Sequence, residues 1–174
     1  MAKVTGVLCQ IMTADVDGAG TDGNVYLGLG GREFRLDSRE DDYERGSWRE
    51  YVLADASPEP NLTIPQVRLR NWEKNDPTLR FPLETSDLAR TPVYIRFEPH
   101  SGFDSWNLFF AAVSVYAGEF VVGYTPPDHF NDIWLGDAMG KVLYLTKEWN
   151  DAQKLLEKAD RIGARNASNP PPRV

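Results

Sequence analysis

Residues 15–46 read DVDGAGTDGNVYLGLGGREFRLDSREDDYERG. Two short β-rich runs sit inside this stretch, Val25-Tyr-Leu-Gly-Leu and Arg32-Glu-Phe-Arg-Leu, separated by Gly30-Gly31. A two-glycine link between such runs specifies a hairpin, because the tight turns that suit twisted strands need positive φ at their centre. The hairpin returns the chain to the end of the sheet where it began. Two acidic loops are therefore expected to meet there. Loop one offers Asp15, Asp17 and Asp22 among glycines 18, 20 and 23, and loop two offers Glu40, Asp41, Asp42 and Glu44. Glycines let backbone carbonyls approach a ligand unhindered by side chains. Oxygen-rich loops suit a hard cation such as calcium, which takes about six to eight oxygen ligands. The same residues also describe plain turns and a solvated acidic face, and composition alone leaves both readings open.

Outward from the hairpin, strand patterns continue in both directions. Lys3 to Met12 places Val7, Cys9 and Ile11 on one face and Val4, Leu8 and Met12 on the other, as expected of a strand inside a sandwich. Ser47 to Leu53 is β-rich, and the prolines at 58 and 60 end it. A short strand is expected near Pro65, and an edge strand from Leu79 to Leu83. Val93-Tyr-Ile-Arg-Phe-Glu alternates cleanly, with Val93, Ile95 and Phe97 on one face. Trp106 to Tyr116 is almost continuously apolar, the mark of a strand buried on both sides. Glu119–Tyr124 and Lys141–Leu145 complete the set, with 126–140 between them read as a loop. Many short strands with turn signals between them predict an all-β fold, an antiparallel β-sandwich. Thr146 is read as the cap of an amphipathic helix over 147–163, on which Trp149, Leu155, Leu156 and Ile162 recur at helical spacing. Residues 164–174 read as an extended tail, which leaves 1–146 as the sandwich.

The 174 residues fit one domain. A net charge of -7 argues against a nucleic-acid partner, whose phosphates would draw on clustered Lys and Arg. With Cys9 as the single cysteine, no intramolecular disulfide and no cysteine-based zinc site can form, and a buried strand thiol is expected. No basic and apolar signal segment precedes the first strand, and no run reaches the roughly 18 apolar residues of a membrane span. The expectation is a soluble or cytoplasmic chain.

Gly18-Ala-Gly-Thr-Asp, Val25-Tyr-Leu, Tyr43-Glu-Arg-Gly and Asp104-Ser-Trp, in that order and spacing, closely resemble the PLAT/LH2 domain over roughly residues 3–53 and 83–117. The resemblance implies two roughly four-stranded sheets and calcium held by loops at one end. Carried over position by position, it implies Gly18, Gly20, Thr21 and Asp22 as ligands from loop one. Asp41, Asp42 and Glu44 follow from loop two, and Asp104 from a third loop. It further implies a non-enzymatic interaction module for a lipid surface or a protein partner. Against the family pattern, residues 54–82 are an insertion and 118–174 an extension. The loop-one tip, Val16-Asp17, lacks the exposed aromatic of membrane-docking members, which leaves the lipid role open.

Catalysis finds little support in the residues. His100, Ser101 and Asp104 share one loop, and no Gly-x-Ser-x-Gly elbow exists. The alternative to a calcium module is a metal-independent scaffold that binds a protein through the insertion and the C-terminal helix. The apolar stripe of that helix would also serve for homo-oligomerisation.

Overall fold

The computed structural model describes residues 2–54, 64–127 and 132–148. Their strands are β1 (Gly6–Thr13), β2 (Asn24–Leu29), β3 (Arg32–Arg35), β4 (Trp48–Ala54), β5 (Gln66–Arg68), β6 (Val93–Glu98), β7 (Ser105–Ala117), β8 (Phe120–Thr125), β9 (Ile133–Gly136) and β10 (Val142–Glu148). The hairpin forms as the glycines require. Gly30 and Gly31 hold φ of 58° and 79°, and Leu29 pairs with Arg32 directly across the turn.

Two layers enclose the core. One carries the order β3-β2-β6-β10 and the other β8-β7-β1-β4-β5, with β9 added on β7. Val25, Leu27, Val93, Ile95 and Phe97 point inward from the first layer, and Val7, Cys9, Ile11, Val113 and Val115 from the second. The alternation of β6 is realised in full. Trp106, at the head of β7, is wholly buried and packs on Phe97 and Tyr43 with centroids 5.8 and 5.3 Å away. Burial also pushes the Cys9 thiol far above its ordinary pKa, so Cys9 is the inert strand thiol expected of it.

The structure differs from the sequence reading at several points. The two sheets are not separate: β10 pairs with β6 through Val142–Leu145 and then with β8 through Thr146–Glu148, so one curled sheet runs through both layers. It is mixed rather than antiparallel throughout, because β5 lies parallel to β4. Leu79–Leu83 is not a strand. The Arg32 guanidinium takes the carbonyls of Asp76, Leu79 and Phe81, which satisfies this segment without a partner strand. Ile133–Gly136, read as loop, is a strand against Ser105–Leu108.

The expected helix start is overturned too. Lys147 and Glu148 are strand residues opposite Tyr124 and Gly123. The supposed cap, Thr146, instead donates its hydroxyl to the Thr125 carbonyl at 3.1 Å. The remainder of that helix, the tail and the self-association surface assigned to the helix lie outside the described residues.

Candidate functional site at the loop end

Strand direction decides which loops meet. β1, β3, β6 and β9 all run toward one end, so the loops 14–23, 36–47 and 99–104 and the turn 137–140 gather there. Backbone contacts lock the first two together: Gly46 N–H donates to the Ala14 carbonyl at 3.1 Å and Thr21 N–H to the Tyr43 carbonyl at 3.3 Å. Beneath them runs a buried polar chain. Trp106 Nε1–H donates to Thr13 Oγ1 at 3.0 Å, and the Thr13 hydroxyl donates to the Tyr43 carbonyl at 3.3 Å. Tyr43 sits at φ 64°, and its phenol donates to the Leu36 carbonyl. Burial holds that phenol's pKa well above 10, so it remains a donor.

A cavity of about 290 Å³ opens between loops one and two. Asp22, Glu40, Asp41 and Asp42 line it with Thr21, and Asp37 stands on its wall between Arg35 at 3.6 Å and Arg70 at 3.8 Å. Of the residues expected to hold a cation, Thr21, Asp22, Asp41 and Asp42 thus share one space. The others are placed elsewhere. Asp104 belongs to loop three, where its carboxylate accepts the Thr21 hydroxyl at 2.8 and 2.9 Å and the His100 backbone N–H at 2.8 Å. Glu44 is exposed outside the cavity, as is Gly18 at φ 72°.

The glycines work differently from their first reading. A Cβ on Gly20 would lie 3.1 Å from the Arg45 backbone nitrogen, and one on Gly23 would overlap the Phe97 ring at 2.4 Å. These two allow loop one to pack against loop two and against β6, rather than leaving room for a ligand.

Several acids already have partners. Asp42 accepts Ser38 N–H at 2.6 Å and the Ser38 hydroxyl at 2.8 Å. Arg45 bridges Asp15, at 2.7 Å, and Asp17. Among the described residues, no three His, Cys, Asp or Glu side chains are grouped closely enough to hold a metal ion. The donor chemistry suits a hard cation, while the tight carboxylate cluster such an ion draws together is not built in advance. The catalytic alternative gains nothing from the geometry, because Asp104 takes the backbone of His100 rather than its ring.

Of the apolar tips of this end, the sequence reading named only Val16 and missed Phe103 and Met139. Phe103 in loop three is fully exposed, Met139 in the β9–β10 turn is 52% exposed and Val16 in loop one is 43% exposed. Loop three sits beside the β9–β10 turn, since a Cβ on Gly102 would lie 3.7 Å from Asp137 Oδ2. A search for an aromatic at the tip of loop one alone could not find Phe103. The available signal was Phe103 between Gly102 and Asp104 in a polar loop.

No protein-family model matches the sequence, and no curated protein matches it. Among solved structures, alpha toxin from Clostridium absonum is similar over 83% of this chain and 32% of its own, at 24% identity and a TM-score of 0.50. A lipoxygenase in complex with arachidonate is similar over 93% of this chain and 20% of its own, at 14% identity and a TM-score of 0.48. Coral 8R-lipoxygenase, described as activated by calcium through a C2-like domain, covers 94% of this chain and 21% of its own, at 14% identity and a TM-score of 0.45. The two lipoxygenase likenesses are too loose to build on, and the chain spans about a third of the toxin it matches. Set beside the order of loops and strands described above, the likeness to the toxin gives the chain a PLAT/LH2-like fold.

Proposed function

We propose that this chain is a non-enzymatic interaction module that docks on a lipid surface with its loop end, and that calcium occupies the cavity between loops one and two. The observation that carries the reading is the placement of Phe103, Met139 and Val16 at the same end as the acidic cavity. Exposed apolar side chains enter the interfacial region of a bilayer, and a full-size apolar side chain buried there contributes roughly 1.5–3 kcal/mol. An acidic end by itself repels anionic headgroups. A divalent cation among Asp22, Asp41, Asp42 and the carbonyl-rich loop one would offset that charge and leave coordination positions for phosphate oxygens. Because these side chains are not clustered beforehand, the ion would have to draw loop two toward loop one.

Co-sedimentation with phosphatidylserine vesicles tests the reading. Sedimentation that needs calcium and falls when Phe103 is replaced by Asp supports it, and sedimentation indifferent to both defeats it. A second reading, docking without a metal, is favoured by one observation: Asp15, Asp17, Asp42 and Asp104 already have intramolecular partners. Sedimentation that depends on Phe103 but is unchanged by chelator selects it.

A further inference from the structure

A second cavity, of about 370 Å³, lies on the flank of the loop end, between Ser38–Glu40 of loop two and Gln66–Trp72. Its walls are firmly held. β5 is registered on β4 through Glu50–Gln66, Tyr51–Val67 and Val52–Arg68. The chain then crosses to the other layer, where Arg70 N–H donates to the Asp37 carbonyl at 2.8 Å. On the facing wall, Asp42 fixes Ser38 through its backbone and its hydroxyl.

Three arginines line this groove, Arg39, Arg68 and Arg70, against one acid, Glu40. In a chain of net charge -7 such a concentration of cations calls for a ligand. The side chains of Arg39 and Arg68 make no ion pair or hydrogen bond among the described residues, and the nearest carboxylate to Arg70 is Asp37 at 3.8 Å. Beside them Trp72 is 57% exposed within the same lining.

We propose that this groove binds a compact ligand bearing phosphate monoesters. A guanidinium presents its N–H donors in a planar fork that matches phosphate oxygens in pairs. The lining holds two positive charges in excess, enough for one of these monoesters, which carries about -1.5 to -2 at neutral pH. Since the Arg39 and Arg68 side chains have no pairs to break among the described residues, ligand binding forfeits no such contact there. The indole of Trp72 supplies a flat apolar wall for the ring or chain that carries the phosphates. A confined groove of this size takes a single headgroup, whereas a nucleic-acid backbone would need a continuous basic track.

The test uses the full chain in EDTA with inositol trisphosphate as the soluble probe, followed by titration calorimetry. Binding is expected, with affinity falling about fivefold for Arg39→Ala and again for Arg68→Ala, as about 1 kcal/mol per arginine implies. Arg68→Lys should restore only part of the loss, because the charge returns without the fork. Thermal midpoints should stay unchanged, since both side chains are exposed and have no ion pair among the described residues. Phosphatidylcholine vesicles with and without phosphatidylinositol bisphosphate then distinguish the source. Sedimentation with the phosphorylated lipid identifies a membrane headgroup, and binding of the soluble probe alone identifies a soluble ligand. Absence of heat with the wild-type chain, or an isotherm that the double variant leaves unaltered, overturns the proposal. With chelator present and phosphatidylserine absent, the result is independent of the calcium reading.

Discussion

The Thr21 hydroxyl donates to both carboxylate oxygens of Asp104, at 2.8 and 2.9 Å, and so ties loop one to loop three across 83 residues of sequence. The same Thr21 oxygen accepts the Gly23 backbone N–H at 2.9 Å. Thr21→Val keeps the shape and removes both roles. Thermal or urea denaturation should show a loss of about 1.5–3 kcal/mol, the range for a hydrogen bond to a charged group. Hydrogen exchange should quicken at residues 20–23 and 100–104, and unchanged protection in both loops would count against the tie.

Calcium should raise the melting midpoint, because a ligand bound by the folded chain alone stabilises it, by about 2.7 kcal/mol at a hundred times Kd. Asp41 and Asp42 should respond differently to substitution. Asp41 lines the cavity without a hydrogen bond among the described residues, so Asp41→Asn should reduce the calcium shift and leave the chelated protein as it was. Asp42→Asn should lower stability even in EDTA, since it weakens the two bonds that shape Ser38–Asp42. A midpoint that ignores millimolar calcium would remove the ion from the cavity.

Phe103 makes the cleanest test of lipid docking. Being fully exposed, it contributes nothing to the core, and Phe103→Asp should leave the unfolding free energy within about 0.5 kcal/mol of wild type. Vesicle affinity should nonetheless fall about tenfold or more, the value of one aromatic withdrawn from an interface. Equal sedimentation of the two proteins would place the contact surface elsewhere.

Glu33 gives a pH-dependent prediction. Two hydrogen bonds from Arg96, at 2.7 and 2.8 Å, hold its carboxyl below its ordinary 4.5. A carboxylate whose folded pKa is depressed stabilises the protein above its unfolded pKa and ceases to do so as pH falls through the folded value. The stability difference between wild type and Glu33→Gln should therefore be constant at neutral pH and shrink below pH 4.5. The pair is partly exposed, so the difference should not exceed about 1 kcal/mol. A gap that widens in acid would contradict the assignment.

Tyr43→Phe should be costly for its size. The change strands the Leu36 carbonyl, a buried acceptor, and should destabilise by about 1–3 kcal/mol in chemical denaturation. A near-neutral substitution would mean that water replaces the phenol.

The local elements were determined by the sequence itself. Gly30-Gly31 dictates a tight hairpin wherever the rest of the chain goes, since few other residues accept positive φ at both positions. The alternation of Val93, Ile95 and Phe97 fixes which side of β6 is buried, and the unbroken apolar run of β7 requires cover on both faces. Trp106 was legible as core for the same reason. That Asp22, Asp41 and Asp42 come to line one cavity, though not as a tight cluster, followed from the hairpin. What no local pattern contained was the pairing between distant segments. The passage of β10 between layers, β9 on β7 and Lys147 in a strand rather than a helix depend on which backbone donors and acceptors are left unpaired by neighbouring strands. The same holds at the site. Asp15 and Asp17 turn to Arg45 at the exposed surface of the loops, and the part-buried Asp104 turns to Thr21, because each carboxylate takes the partner that the tertiary structure brings within reach. Exposure of Phe103 and the meeting of Arg39 with Arg68 were decided in that way too, by the direction in which loops leave their strands.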